Sequence, residues 1–478
     1  MLLAVKLVTT VLGLLVTRLL SEYLSVYDYG TYSQILLIVS IVSSVTVLGM
    51  MDGVNYFYCR EQDQQRRESY VATVFALQCT LGTIAGCAVM ALSAPLCLYF
   101  ENPAIKGLLI FAATLPVMQN LLGMFQVLLV SVGKAGLLAV RNLVVSVLRL
   151  VAVILVITVT RDVRIVLLVT LVLDVGQISV FWAVLRRSNC SIRLTRVRWK
   201  LCREILYYCA PMALFTIINT LNRDLDKYVI SAWTNTETLA MYANASKTLP
   251  FDILMTSFCT VLIPHITRCI ALERSEQAVA LYKVFLEIAY ISTTILCCAA
   301  VAAAPQLMNL LYSNKYTGGL TIFCIYIFVD LLRFTNITLI LSAAGKTRRL
   351  MMLGLISLGS NVVLNVVLYH MVGTIGPALS TLAVTAFMGV WMLRESAGIL
   401  RTQITMFFDC KYLGLFALES IVLMTALFHL QNVLERLNVH YFVILVIVTG
   451  LYGLIMLILN GKRLLRAIHS VNQHTVEA

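Results

Sequence analysis

The chain has 478 residues, of which 60% are hydrophobic and only 12% charged, and its mean hydropathy is +0.90. Soluble domains carry about a quarter charged residues, so a soluble globular class is excluded and a polytopic membrane protein is predicted. The formal net charge of +13 is, in such a chain, first a topology signal and only second a hint about ligands.

Runs of about 20 mostly apolar residues, the length that crosses a bilayer as a helix, recur along the chain. Fourteen are read, at 2–24, 32–56, 71–95, 107–130, 137–160, 165–185, 204–232, 239–264, 284–304, 320–342, 350–371, 375–393, 412–430 and 440–460. They are continuous rather than alternating, which speaks against strands, and an open sheet facing lipid leaves its backbone unpaired. The predicted fold class is therefore all-α, with about 14 transmembrane helices. Met1 opens straight into apolar residues and no small-residue cleavage site follows. No signal peptide is read; either span one is short or the start lies upstream.

The loop after the sixth run, RRSNCSIRLTRVRWKLCR, holds Arg186, Arg187, Arg193, Arg196, Arg198, Lys200 and Arg203. The positive-inside rule makes this loop cytoplasmic, and the remaining loops follow from it. Of the 36 Lys and Arg residues, 23 then lie in inner segments and five in outer loops, so both termini are placed inside. A positive-inside anchor is favoured for this basic loop over a collector of anionic lipid or diphosphate. Trp182, Trp233 and Trp391 fall at span ends, where amphipathic rings sit. The 13 cysteines are scattered singly apart from Cys297–Cys298, with no CxxC pair and no Cys/His cluster of metal-ligand spacing. They read as small buried hydrophobes, and neither metal nor cofactor is expected.

The two halves resemble each other. LLVSVGKAGLLAVRNLVVSVLRLVAVILV at 128–156 is similar to ILSAAGKTRRLMMLGLISLGSNVVLNVVL at 340–368, each turning at Gly-Lys. SAPLCLYF at 93–100 is similar to AAPQLMNLLY at 303–312, and TRLLSEYL at 17–24 to NRDLDKYV at 222–229. Each unit has six spans, an even number, so the repeat is parallel rather than inverted. The predicted organisation is an N-lobe over 1–190, a basic linker over 191–203, a C-lobe over 204–400, and helices 13 and 14 with a tail over 401–478. Two parallel bundles leave a cavity between them, an arrangement common in alternating access.

Eight basic residues remain in or at the edges of spans: Lys6, Arg18, Arg141, Arg149, Arg223, Lys227, Lys247 and Arg333. A charge at the bilayer centre costs about 3 kcal/mol on insertion scales, so each must snorkel, pair or face water. Lys6 and Arg141, near cytoplasmic ends, are read as snorkelling. Arg149, two turns beyond Arg141, is equally a cavity group or a structural donor. Arg333 has Asp330 at i−3, a helix-local pair. Lys247 stands eight residues into span eight and five before Asp252, where pairing or cavity exposure would serve. Asp174 and Glu287 read as structural, and Asp52 as a helix-end group.

Arg18, with Glu22 one turn on, and Arg223 occupy matching positions in the two repeats. In LNRDLDKYVISAW, Leu221 to Trp233, Asp226 at i+3 and Lys227 at i+4 share the face of Arg223, while Asp224 lies about 100° round the helix. Asp226 is expected to orient Arg223, and Asp224 to pair with Lys227 or Lys247. One reading is a pair of pseudo-symmetric salt bridges near the outer interface; the other is a polar face turned to the cavity. On the second reading Arg18, Arg223, Lys227, Lys247 and Arg149 form the substrate site, with Asp224, Asp226 and Asp252 as supporting or coupling carboxylates.

The run TRLLSEYLSVYDYGTYSQILLIVSIVS, with Tyr29, Gly30 and Tyr32, resembles the opening signature of bacterial O-antigen-type polysaccharide flippases. NRDLDKYVISAW followed by Met241-Tyr242-Ala243, the AAGKTRRL turn, and SNVVLNVVLYHMVGTIGPALST with Gly376-Pro377-Ala378 resemble later segments of that family. The resemblance covers nearly the whole chain and implies the multidrug/oligosaccharidyl-lipid/polysaccharide exporter superfamily, with a V-shaped pair of six-helix lobes. It implies flipping of an undecaprenyl-diphosphate-linked oligosaccharide across the bacterial inner membrane for surface polysaccharide biosynthesis. The implied partners are that lipid-linked substrate, membrane lipids and a polysaccharide polymerase or chain-length machinery, with no nucleic acid. Two departures stand out: span one lacks the usual lead-in, and the acidic residues of RDLDK dilute the basic character.

A diphosphate-sugar headgroup calls for Arg and Lys to meet phosphate and polar groups to meet hydroxyls, which the basic residues of spans one and seven fit. A drug exporter of the same fold would take cations through a carboxylate-dominated cavity, an alternative that Asp224, Asp226 and Asp252 keep open. A membrane glycosyltransferase or polymerase ranks last. Such enzymes carry large extramembrane loops, whereas the longest loop here is short and basic, with no Asp-x-Asp and no His cluster, so no enzymatic activity is expected.

Overall fold

The computed structural model describes residues 2–187, 192–252, 262–263, 265–336 and 338–476. No strand occurs among them. Eleven helical stretches are long and apolar enough to cross a membrane, and one of them, Thr347–Ile399, holds two helices. Leu2–Tyr23 adds another apolar helix of 22 residues. The chain is thus an all-α polytopic membrane protein. Its helices gather into two compact units, Met1–Ala243 and Asn244–Ala478.

In the first unit α1 (Leu2–Tyr23) leads to α2 (Val26–Val47). Ser25 starts α2: its hydroxyl accepts from the Asp28 N–H at 3.0 Å, satisfying one of the first-turn donors that a helix leaves open. Leu48 and Gly49 then turn left-handed, at φ 42° and 65°, and α3 (Met50–Arg60) carries the path onward. There follow α4 (Gln64–Ala91), α5 (Ser93–Tyr99), α6 (Leu109–Ser131), α7 (Ala135–Val159), α8 (Val163–Arg187) and α9 (Cys202–Trp233), with α10 (Thr236–Ala245) at the unit's edge. Lipid tails are as apolar as leucine, so close packing rather than escape from water must join such helices. Gly49 shows how. A Cβ there would meet Ala213 N and Cys209 O of α9 at 2.9 Å each, so only glycine admits α9 this close. Met50, Phe57, Tyr70, Phe125 and Leu128 then close a shared core with Ile205 and Cys209.

The second unit contains α11 (Ser275–Ala302), α12 (Ala304–Tyr312), α13 (Leu320–Leu332), α14 (Leu339–Ala343), α15 (Thr347–Val372), α16 (Gly376–Ile399), α17 (Cys410–Arg436) and α18 (Tyr441–Val476). The last two pack on α11 through a core that joins Tyr290, Ile291 and Cys298 to Phe416, Val448 and Tyr452.

The sequence repeat is also a repeat of local structure. Gly133 and Gly345 both have positive φ, 79° and 66°. The next residue donates back across the turn in each case, Lys134 N to Leu129 O at 2.8 Å and Lys346 N to Leu341 O at 2.9 Å, the 6→1 closure of a helix that ends on a left-handed glycine. Short α5 and α12 are each followed by a 3-10 turn, Pro103–Leu108 and Asn314–Gly319. Division by packing is a different matter: α9, which opens the second repeat in sequence, counts with the first unit.

Span eight departs from the continuous run expected over 239–264. The helix ends at Ala245, Ser246 to Leu249 are non-helical, and a 3-10 turn follows at Pro250–Asp252. Residues 253–261 lie outside the described residues. Proline explains the break, because it lacks an N–H and pushes the residue before it out of the helical region. The Leu249 amide instead donates to Asp330 Oδ2 at 3.0 Å.

Candidate functional site

The RDLDK run lies in α9, on the stretch that packs against α2. Asp224 is its hub. Lys227 Nζ donates to Asp224 Oδ1 at 2.9 Å. Arg223 donates to Asp224 Oδ2 through Nη2 at 3.0 Å and Nε at 3.3 Å. Ser40 of α2 closes the set: its hydroxyl donates to Asp224 Oδ2 at 3.0 Å and accepts from Arg223 Nη2 at 2.9 Å. One helix turn beyond Asp224, the Tyr228 hydroxyl donates to Leu37 O at 3.0 Å, and Tyr99 OH donates to Tyr228 O at 2.7 Å.

Burial sorts these charges by sign. The Asp224 side chain is 8% exposed and Lys227 18%, whereas Arg223 is 62% exposed. Asp226 is buried as well. The carboxylates thus sit inside the packing while the guanidinium projects from it. The expected Asp224–Lys227 pair is present, and one expected role is corrected: Asp224, not Asp226, is the carboxylate that also holds Arg223. The helical angle between neighbours is about 100°, but the long arginine stem folds back across it, and Ser40 holds the head there. Ser40 carried no signal in the sequence, being one of several serines in an apolar run.

The other candidates are placed as follows. Arg18 Nη2 pairs with Glu22 Oε2 at 2.6 Å along α1. Arg149 is exposed on α7, within electrostatic reach of Asp174 on α8. Arg141 donates to Gln177 and lies over the Phe181 ring at 5.3 Å, so it is held by α8 in addition to any snorkelling. Lys247 is exposed in the break of span eight, in the second unit. Asp252 ends the 3-10 turn there, and its side chain lies outside the described residues. Arg333 pairs with Asp330 at 3.4 Å, the expected i−3 partner. Among the described residues no group of His, Cys, Asp and Glu is placed to hold a metal ion.

The Tyr-Gly-x-Tyr signature turns out to be a packing motif. A Cβ on Gly30 would fall 2.3 Å from Thr236 O at the start of α10. Around it, Asn102 Nδ2 donates to Thr31 Oγ1 at 2.8 Å and Gln34 Oε1 at 2.7 Å, while Gln34 Nε2 donates to Phe100 O at 3.2 Å and Thr236 Oγ1 at 3.3 Å.

The profile of the polysaccharide biosynthesis protein family matches residues 15–320, well over half of the chain. No curated protein matches by sequence. Among solved structures, the lipid II flippase MurJ in an inward closed conformation is similar over 96% of this chain and 98% of its own, at TM-score 0.73 and 15% identity. An inward-facing multidrug resistance transporter of the MATE family, MOP superfamily, covers 83% of this chain and 96% of its own, at TM-score 0.66 and 15% identity. A MOP superfamily transporter from Pyrococcus furiosus, reported with a binding pocket of reverse polarity, covers 83% and 94%, at TM-score 0.55 and 14% identity. At such identities the likeness shows the fold, which is that of the MOP superfamily. The chain belongs to the polysaccharide biosynthesis protein family.

Proposed function

We propose that this member of the polysaccharide biosynthesis protein family is a flippase that moves an undecaprenyl-diphosphate-linked oligosaccharide from the inner to the outer leaflet of a bacterial cytoplasmic membrane by alternating access. The observation that carries the reading is the sign of what α9 offers. Asp224 and Asp226 are buried, and the Arg223 guanidinium is exposed. A drug exporter selecting cations would need the reverse. A planar guanidinium with donors to spare suits a phosphate oxygen, which it can grip in bidentate fashion. Asp224 and Ser40 take only one edge of it, so they aim the head without consuming it. Lys227 is the less exposed cation and serves the site by balancing Asp224. Arg18, Arg149 and Lys247 are proposed as further basic contacts along the route, and Asp252 as a supporting carboxylate. The membrane potential favours the direction: each negative charge leaving a negative-inside cell gains about 2.3 kcal/mol per 100 mV.

The test is surface glycan in a flippase-deleted strain complemented with variants, read beside the level of membrane protein. Arg223→Ala should abolish export at normal protein level, and Arg223→Lys should restore only part of it, since the fork is lost. Normal export from a well-expressed Arg223→Ala protein would return the cluster to a structural role.

A further inference from the structure

We propose that the second unit carries a binding site for an anionic phospholipid where α15 begins and α16 ends. A cavity of about 1020 Å³ lies there, lined by Lys346 and Arg349 from the first helix and Phe387, Val390, Trp391 and Arg394 from the second. The α16 residues 387, 390, 391 and 394 are spaced i, i+3, i+4 and i+7, one face of a helix. That face is graded. Phe387 and Val390 are 51% and 64% exposed, an apolar surface of the kind that meets acyl chains. Trp391 packs edge-on to Phe387 with ring centroids 5.5 Å apart, and its amphipathic indole suits headgroup depth. Arg394 ends the face in exposed charge.

The opposite wall is cationic too. Arg349 forms an ion pair with Glu395, which leaves Lys346 and Arg394 to set a net positive charge on the cavity. Lys346 is the N-cap of a helix of 26 residues, and the N–H groups and dipole of such a helix end favour a phosphate. The Gly345 turn is what places Lys346 at that end. Apolar groove, interfacial indole and basic rim follow in the order in which a phospholipid presents chains, glycerol and phosphate. The Lys and Arg bias assigns this end of the spans to the cytoplasm, and that leaflet carries the anionic lipids. The site is built by the second unit alone and holds whatever the transported substrate is.

The experiment is native mass spectrometry of the purified full-length chain titrated with phosphatidylglycerol or phosphatidylcholine. Phosphatidylglycerol should bind the parent in preference to phosphatidylcholine. Each basic residue near a charged membrane surface is worth about fivefold, so Lys346→Gln/Arg394→Gln should weaken phosphatidylglycerol binding by about 30-fold, and either single exchange by about fivefold. Lys346→Arg/Arg394→Lys, which keeps both charges, should bind as the parent does. Lys134→Gln, which removes the same charge at the matching Gly-Lys turn of the first unit, should also leave binding intact. Parent-like binding by Lys346→Gln/Arg394→Gln or by the single exchanges overturns the site. Equal loss in Lys134→Gln would make the effect one of bulk charge and would overturn the site as well. Binding of undecaprenyl diphosphate at these residues with no binding of phosphatidylglycerol would assign the cavity to the transported lipid instead, and would also overturn the proposal.

Discussion

Asp224 is the residue on which the basic face of α9 depends. Lys227 takes one of its oxygens, and Arg223 with Ser40 the other, all within 3.3 Å. Breaking a buried pair from one side leaves the other charge uncompensated and costs about 3–5 kcal/mol. The Arg223 arm is more than half exposed, so water screens its share and the loss there is small. Asp224→Ala should therefore lower the unfolding midpoint in detergent far more than Arg223→Ala does. Lys227→Ala placed on top of Asp224→Ala should recover part of the loss, with a coupling of about 0.5–3 kcal/mol in a double-mutant cycle. Strict additivity of the two exchanges would show that the pair has no energy of its own. Gly30 makes a second case at this scale. Its missing Cβ leaves room for Thr236 O, which would otherwise lie at 2.3 Å. Gly30→Ala forces the two elements apart, and overpacking of this kind costs about 1–3 kcal/mol. Reduced folded yield, with the remaining protein still exporting glycan, is the expected outcome; an unchanged melting curve would count against the packing account of the signature.

Among the elements, the break in span eight was the least legible in the sequence. The run 239–264 is apolar enough to read as one helix, and Pro250 is a weak signal in membranes, where kinked helices are common. What the sequence does not display is Asp330, 81 positions away from the amide it accepts. A lone aspartate beside Arg333 reads as a local pair, and so it is, at 3.4 Å, but its other oxygen caps the broken backbone. Irregular backbone at membrane depth needs such a partner. Loss of the acceptor leaves a buried amide unpaired, at about 1–3 kcal/mol. Asp330→Ala should then speed amide hydrogen exchange at Leu249 and lower the melting temperature, while Arg333→Ala, which leaves the Leu249 bond intact, should spare the amide. Equal protection of Leu249 in both variants would separate Asp330 from the break. The same logic explains the error over Asp226: side-chain spacing along one helix foretells who shares a face, but Ser40 comes from another helix and decides which carboxylate is used.

At the scale of the molecule, composition and span length were enough for the all-α membrane class, and the Gly-Lys turns enough for the repeated local structure. Packing units were not legible, because a sequence repeat records ancestry of segments and says nothing of where α9 finds its neighbours. The glycine at position 49, which lets α9 lie against the end of α2, gives no periodic signal. Orientation is the molecule-wide property that still rests on charge alone. Of the 36 Lys and Arg residues, 23 fall in segments assigned inside and five in those assigned outside. Basic residues near span ends resist translocation, so the short loops set the orientation, and a consistent bias around the whole chain leaves little room for a locally inverted pair of helices. Asn314 opens the 3-10 turn before α13, and Ser275 opens α11. The two positions flank α11 and α12, with one full crossing between them. A cysteine placed at Asn314 in a background lacking reactive native thiols should react with an impermeant maleimide in intact cells. One at Ser275 should react only after the membrane is opened. Reversed labelling would turn the chain over, would put the Lys346 and Arg394 cavity at the outer leaflet, and would remove the argument that ties it to anionic lipid.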